Sequence, residues 1–192
     1  MKILSKLEEN YIIKTLKKRL NKKRLEHSIN VMEMAIILAE KNNVDIENAK
    51  FAGLLHDCAK NMSNEDLIKY CDDHKIEIDE LKRNSPGTLH AEVGADIAKN
   101  EFGANEEIVR AIKYHTLANK DMKTLDKILY VADLIELGRE LEGVEEIREI
   151  ALNDLNEGYY ISLDYCIKNV MERGKEVHPQ SILALEAAKE QR

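Results

Sequence analysis

Proline and glycine are scarce: two prolines, Pro86 and Pro179, and eight glycines punctuate 192 residues. Strand-rich folds need far more turn chemistry, so this scarcity argues for helices. No stretch approaches the roughly 18 apolar residues of a membrane span. The N-terminus also lacks an apolar core followed by a small-residue cleavage site; Ile3 to Leu20 instead alternates charged and apolar residues. No membrane association is expected. The three cysteines, Cys58, Cys71 and Cys166, form no CxxC pair, and an odd number cannot all pair within one chain. A reducing, cytoplasmic compartment is therefore the expectation. Positive charge is not in excess either, since the formal net charge is −7. This argues against a dedicated nucleic-acid binder but leaves room for a locally positive pocket that takes a small phosphorylated ligand. The basic run Lys14, Lys17, Lys18, Arg19, Lys22, Lys23 and Arg24 reads first as solvated helix faces.

What is present is the balance of a soluble globular chain, 44% hydrophobic and 34% charged. Apolar residues recur at helical steps in Leu25, Ile29, Met32, Ile36 and Ala39, which predicts one buried face. Asp45 can cap a helix running through Ala49, Ala52 and Leu55 to His56, interrupted at Asn61 to Ser63. Ser63-Asn64-Glu65-Asp66 resembles a capping box with Asp in place of Glu, opening a helix over about 65–74. A polar connection then ends at Ser85-Pro86-Gly87. Further helices are predicted at about 89–100, 105–114, 123–138, 144–154, 155–173 and 179–188. Gly103, Gly138, Gly143 and Gly174 fall near helix ends. No repeat or linker divides the chain. The expectation is one all-α domain over 1–192, a helical bundle with its core at about 20–140 and helices over 144–190 completing a pocket.

The residues that carry chemistry are His27, His56-Asp57, His90, His115 and Asp133. A single His on an apolar helix face is usually a satisfied core residue, and a bare His-Asp pair says little. The ordered set says more. Asp133 sits in Ile128-Leu129-Tyr130-Val131-Ala132-Asp133-Leu134-Ile135, where an unpaired carboxylate would be costly to bury. Two imidazoles and two carboxylates suit a borderline divalent transition metal. Adjacent helical residues point about 100° apart, so His56 and Asp57 can share an ion only where their helix ends, and the break after Lys60 meets that need. His27 and Asp133 would come from neighbouring helices in the bundle core.

This order resembles the HD superfamily of metal-dependent phosphohydrolases. More narrowly, it resembles the bacterial YqeK family, which cleaves symmetrical dinucleoside tetraphosphates. The matching strings are Arg24-Leu25-Glu26-His27, Leu54 to Lys60, Leu89 to Ala95, Ala111 to Thr116 and Asp126 to Glu136, with Gly138-Arg139 following. The resemblance implies the HD-type helical fold and an iron-type ion on His27, His56, Asp57 and Asp133, with manganese or cobalt as substitutes. It implies nucleotide contacts from Arg24, His27, Asp57, Lys60, His90, His115, Thr116, Asp133 and Arg139. Glu176, Val177, His178, Pro179, Gln180 and Ser181 would line the nucleoside end. Two positions depart from the pattern: Cys58 where the family often has Tyr, and Asn43 where it has glycine.

On this reading Asp57, His90 and His115 are the catalytic groups, and Arg24, Lys60 and Arg139 supply fixed positive charge to phosphates. His90 and His115 could instead hold a second ion; one-metal chemistry is preferred. His74 is assigned to a charged loop and His178, apart from the pocket that the resemblance implies, to a turn. The expected substrate is diadenosine tetraphosphate or a close relative, giving two nucleoside diphosphates, ADP or GDP. Neither nucleic acid nor membrane is an expected partner, while Leu- and Ile-rich terminal helices would suit a homodimer. The alternatives are an HD-type nucleotidase, a cyclic-dinucleotide phosphodiesterase or a nucleotide sensor without turnover. Gly158-Tyr159-Tyr160 does not supply the Gly-Tyr-Pro signature of the phosphodiesterases.

Overall fold

The computed structural model describes residues 6–192, with side chains from residue 9 onward; Ile3, the start of the alternating segment, lies outside them. The described residues form eleven α-helices and one 3-10 turn, with no strand. In order these are α1 (Lys6–Arg19), α2 (Lys22–Lys41), α3 (Ile46–Leu55), α4 (Asn64–Asp73), α5 (Glu80–Asn84), the 3-10 turn (Pro86–Leu89), α6 (His90–Phe102), α7 (Glu106–Tyr114), α8 (Thr124–Ile135), α9 (Val144–Asn153), α10 (Leu155–Glu172) and α11 (Pro179–Lys189). Side-chain caps start many of them. Asn21, Asp45, Ser63, Asp79, Asn105 and Asp154 each accept a backbone N–H from the first turn of the helix that follows, a contribution of about 1 kcal/mol apiece.

The organising element is α8. From Leu125 to Ile135 every residue except Asp133 is buried, the pattern of a helix enclosed on all sides. It packs against α2, α3, α7, α9 and α10, while α11 closes over α10. Helix α3 lies close on α2: a Cβ at Gly53 would fall 2.6 Å from Met32 Cα, so glycine alone permits this approach. That contact brings the C-terminal end of α3 beside the first turns of α2.

Several details differ from the sequence reading. The buried face of α2 runs through His27, Ser28, Val31, Met32, Met34, Ala35, Leu38 and Ala39. Met32 and Ala39 are buried as expected, while Leu25, Ile29 and Ile36 are only partly buried. The face is rotated because two polar residues, His27 and Ser28, are drawn inside. The polar connection before Pro86 contains α5, capped by Asp79. Gly143 opens α9 rather than ending a helix. Helix α8 stops at Ile135, because Arg148 of α9 takes its last carbonyls: Nε donates to Ile135 O at 2.7 Å and Nη2 to Glu136 O at 3.1 Å. Asn43, where the family pattern has glycine, adopts φ 54°, a left-handed conformation that Asn tolerates better than most residues.

Candidate metal centre and adjoining cavity

Four histidines from the ends or opening turns of four helices meet in one cluster. His27 comes from the second turn of α2, His56 caps the C-terminus of α3, His90 begins α6 and His115 caps α7. The ending of α3 is what lets His56 and Asp57 both face inward. Consecutive T-shaped contacts link the rings, with centroids 5.2 Å apart for His27 and His56, 5.1 Å for His56 and His115, and 5.0 Å for His90 and His115.

Each ring has its outer nitrogen fixed. Nδ1–H donates to Gly53 O from His56 at 2.8 Å, to Gly87 O from His90 at 2.6 Å, and to Ile112 O from His115 at 2.6 Å. His27 differs, since its Nδ1 meets Oε1 of Glu136 at 3.1 Å. The tautomer of the other three rings is thereby set, with their Nε2 lone pairs turned inward, while His27 is held between the carboxylates of Glu136 and Asp133. They meet two carboxylates. His27 Nε2 lies 3.0 Å from Asp133 Oδ1, and His56 Nε2 lies 3.7 Å from Asp57 Oδ2 and 3.9 Å from Asp133 Oδ1. The other oxygen of Asp57 faces His90 at 3.3 Å and His115 at 3.7 Å.

The donor set fits a divalent metal ion. His56 Nε2 is fully buried and has no hydrogen-bond partner, an acceptor that costs free energy unless something binds it. Ligand atoms of His27, His56 and Asp57 lie within 4.8 Å of one another, as do those of His56, His115 and Asp133, and those of Asp57, His90 and His115. Burial holds His56 neutral, its pKa lowered to about 4, and likewise His90, lowered to about 3. Burial alone would raise the carboxyls, yet the surrounding imidazoles and cations hold Asp57 and Asp133 well below the ordinary carboxylate range. Neutral His56 and His90 and ionised Asp57 and Asp133 are in the protonation states a metal requires. Burial opposes the charge of His27, but Asp133 and Glu136 raise its pKa.

Three cations ring the cluster. Arg24 Nη1 lies 3.2 Å from Asp57 Oδ2, Arg139 Nη2 2.7 Å from Asp133 Oδ1, and Lys60 Nζ 2.9 Å from His90 Nε2. Burial lowers the pKa of Lys60 despite the two aspartates. His90 and His115 present acceptor nitrogens to each other at 3.1 Å, with the Thr116 hydroxyl 3.1 and 3.2 Å away. Two lone pairs so close are stabilised by Lys60 and Thr116 as donors.

Thr116 also lines a cavity of about 720 Å³, whose walls include Gly87, Tyr130, Leu163, Ile167 and Val177. Of the C-terminal segment assigned to the nucleoside end, Glu176, Val177, His178 and Ser181 line this cavity. Pro179 and Gln180 do not; Pro179 begins α11, and Gln180 donates its side-chain amide to Ala118 O. His178 caps α11 and meets Asp79 at 3.1 Å, while His74 stacks on Tyr70 and meets Asp96 at 2.8 Å, far from the cluster chemistry. Sequence reasoning passed over Glu136, Asn30 and Tyr130. Glu136 stands three residues after Asp133, a spacing that shares a helix face, and this was the available signal.

The chain matches a family model described as the HD domain over residues 24–138. It is 36% identical over 168 residues to a symmetrical bis(5'-nucleosyl)-tetraphosphatase of Bacillus subtilis, covering 87% of this chain and 90% of that protein. A protein of the same name from Staphylococcus aureus is 38% identical over 138 residues, 71% of each chain. A solved structure from Clostridium acetobutylicum, described as an HD superfamily hydrolase involved in NAD metabolism, superposes with a TM-score of 0.92 at 37% identity, covering 96% of this chain and 98% of that one.

Proposed function

The chain belongs to the HD-domain family, and from that premise we propose that it hydrolyses symmetrical dinucleoside tetraphosphates to two nucleoside diphosphates. The relatives named for this reaction match over most of their length. The observation that carries the reading is the convergence of His27, His56, Asp57 and Asp133 around the unpartnered Nε2 of His56. These four hold one divalent ion; iron is the preferred identity, with manganese and cobalt as functional substitutes. When bound, such an ion supplies Lewis-acid polarisation of a phosphoryl oxygen and lowers the pKa of water toward neutrality.

The chain's own groups do the rest. Arg24 and Arg139 flank the carboxylates and offer bidentate donors to phosphate oxygens; Lys60 adds a point charge. Thr116, which lines the cavity, lies 3.1 Å from His90 Nε2 and 3.2 Å from His115 Nε2. On this reading one of these imidazoles takes up on Nε2 the proton released by the attacking water and passes it to the leaving diphosphate, while Lys60 and Thr116 donate to the phosphate chain. The cavity exceeds the lower range of ligand pockets, roughly 300–1,000 Å³, and its Leu163, Ile167 and Val177 walls suit a nucleoside. A second ion on Asp57, His90 and His115 is the alternative favoured by their mutual spacing. Metal titration to stoichiometry separates the two.

Purified protein supplied with ferrous, manganous or cobaltous ion is expected to convert diadenosine tetraphosphate to ADP alone. Formation of AMP and ATP would overturn symmetrical cleavage. Faster turnover of a mononucleotide or a cyclic dinucleotide would overturn the substrate class.

A further inference from the structure

We infer that Glu136 is a positioning residue for the metal centre, acting through His27. The inference rests on the metal reading above and adds a residue that carries no ligand atom itself. Glu136 is buried, at 3% exposure, and both of its oxygens are engaged. Oε1 meets His27 Nδ1 at 3.1 Å, while Oε2 accepts from Asn30 Nδ2 at 2.9 Å and from the backbone N–H of Gly138. A buried carboxylate is costly unless paired, and here each donor holds it against one imidazole.

Three further features serve that carboxylate. Arg148 fixes the backbone of Glu136 by taking the carbonyls of Ile135 and Glu136. A Cβ at Gly138 would lie 2.8 Å from Asn30 Nδ2 and 2.9 Å from Glu136 Oε2, so a side chain there would displace the amide and carboxylate ends from each other. Asn30 lies three residues after His27 on α2, so ligand and anchor share a face. The other three imidazoles of the cluster lean on backbone carbonyls three residues earlier in their own chain. His27 alone is held by a charged acceptor from a different part of the fold. A carboxylate on Nδ1–H fixes the tautomer and raises the basicity of Nε2. His27 thereby becomes the strongest nitrogen donor of the set and ties α2 to the end of α8.

The test is metal affinity in the absence of substrate, measured by chelator competition with manganous ion on the full chain. Glu136→Gln keeps the volume and removes the charge. Gly138→Ala leaves Glu136 in place and pushes its carboxylate aside. Both variants are expected to bind the ion about 10- to 100-fold more weakly, with metal-free melting temperatures near that of the wild type. Should Glu136→Gln fail to fold, Gly138→Ala decides the matter by the same criterion. A folded variant that binds manganese within twofold of the wild type would overturn the inference. Wild-type protein that binds no divalent ion at all would instead sink the metal reading on which it rests. In zinc-loaded wild type, long-range proton–nitrogen spectra should show His27 protonated on Nδ1, with that proton shifted upfield in Glu136→Gln; an unshifted proton would count against the carboxylate's role.

Discussion

Gly53→Ala tests how the fold sets the distance between ligands. Gly53 lies one turn before His56, whose Nδ1 it receives at 2.8 Å, and faces the backbone of α2 at Met32 and Val31. A Cβ there stands 2.6 Å from Met32 Cα and 2.9 Å from Met32 N. Ordinary carbon contacts are about 3.5–4.0 Å, so the two helices must separate by roughly 1 Å. Overpacking of this kind costs about 1–3 kcal/mol, and the better helix propensity of Ala returns about 1 kcal/mol. The net loss is about 0–2 kcal/mol, or up to roughly 8 °C in melting temperature for a chain of this length. Metal binding is more sensitive, because ligand distances tolerate only about 0.2 Å. His56 moves with α3 and His27 stays with α2, so the affinity for manganese should fall at least about tenfold. Urea denaturation of the metal-free protein and chelator competition on the same preparations give both quantities. Wild-type stability together with wild-type affinity would refute the reasoning, since the close approach at Gly53 would then set neither.

Further outcomes follow from the same geometry. His56→Ala and Asp57→Asn should each lose bound metal and turnover together, read by elemental analysis and ADP release; turnover without metal would refute their role as ligands. Lys60→Ala should retain the ion yet lower kcat by about 100-fold, and an unchanged kcat would remove Lys60 from the chemistry. The metal-free protein should be most stable near pH 6.5 with respect to its site histidines. Burial lowers the folded pKa of His56 to about 4 and of His90 to about 3, so the unfolded chain binds more protons below pH 6.5 and stability falls as pH drops toward 4. His27 runs the other way: burial opposes its charge, but Asp133 and Glu136 raise its pKa, so its contribution is present below pH 6.5 and lost as pH rises through the folded value. Urea midpoints across pH 4–8 check this, and a flat profile would contradict it.

Much of this was legible in the sequence, for physical reasons that can be named. Asp133 is the one residue of α8 after Leu125 that is not buried, and a carboxylate in an apolar run announces a partner. The break after Lys60 revealed where His56 and Asp57 could turn inward, and the Asp45 and Ser63 caps were visible as local chemistry. Non-local requirements were not visible. Nothing in the periodicity of α2 indicates that His27 and Ser28 are buried while Leu25 stays partly open. Glu136 lies in a string whose residues were noted, but its role depends on Asn30, 106 positions away. Helix α5 was missed because five residues are too few to show a period.

The central claim is most directly tested by a crystal structure of the manganese-loaded protein with anomalous scattering recorded at the metal edge. A single strong peak bound by His27 Nε2, His56 Nε2, Asp57 and Asp133 is the expected result. A peak elsewhere in the chain, or none from protein grown and soaked with excess ion, would contradict it.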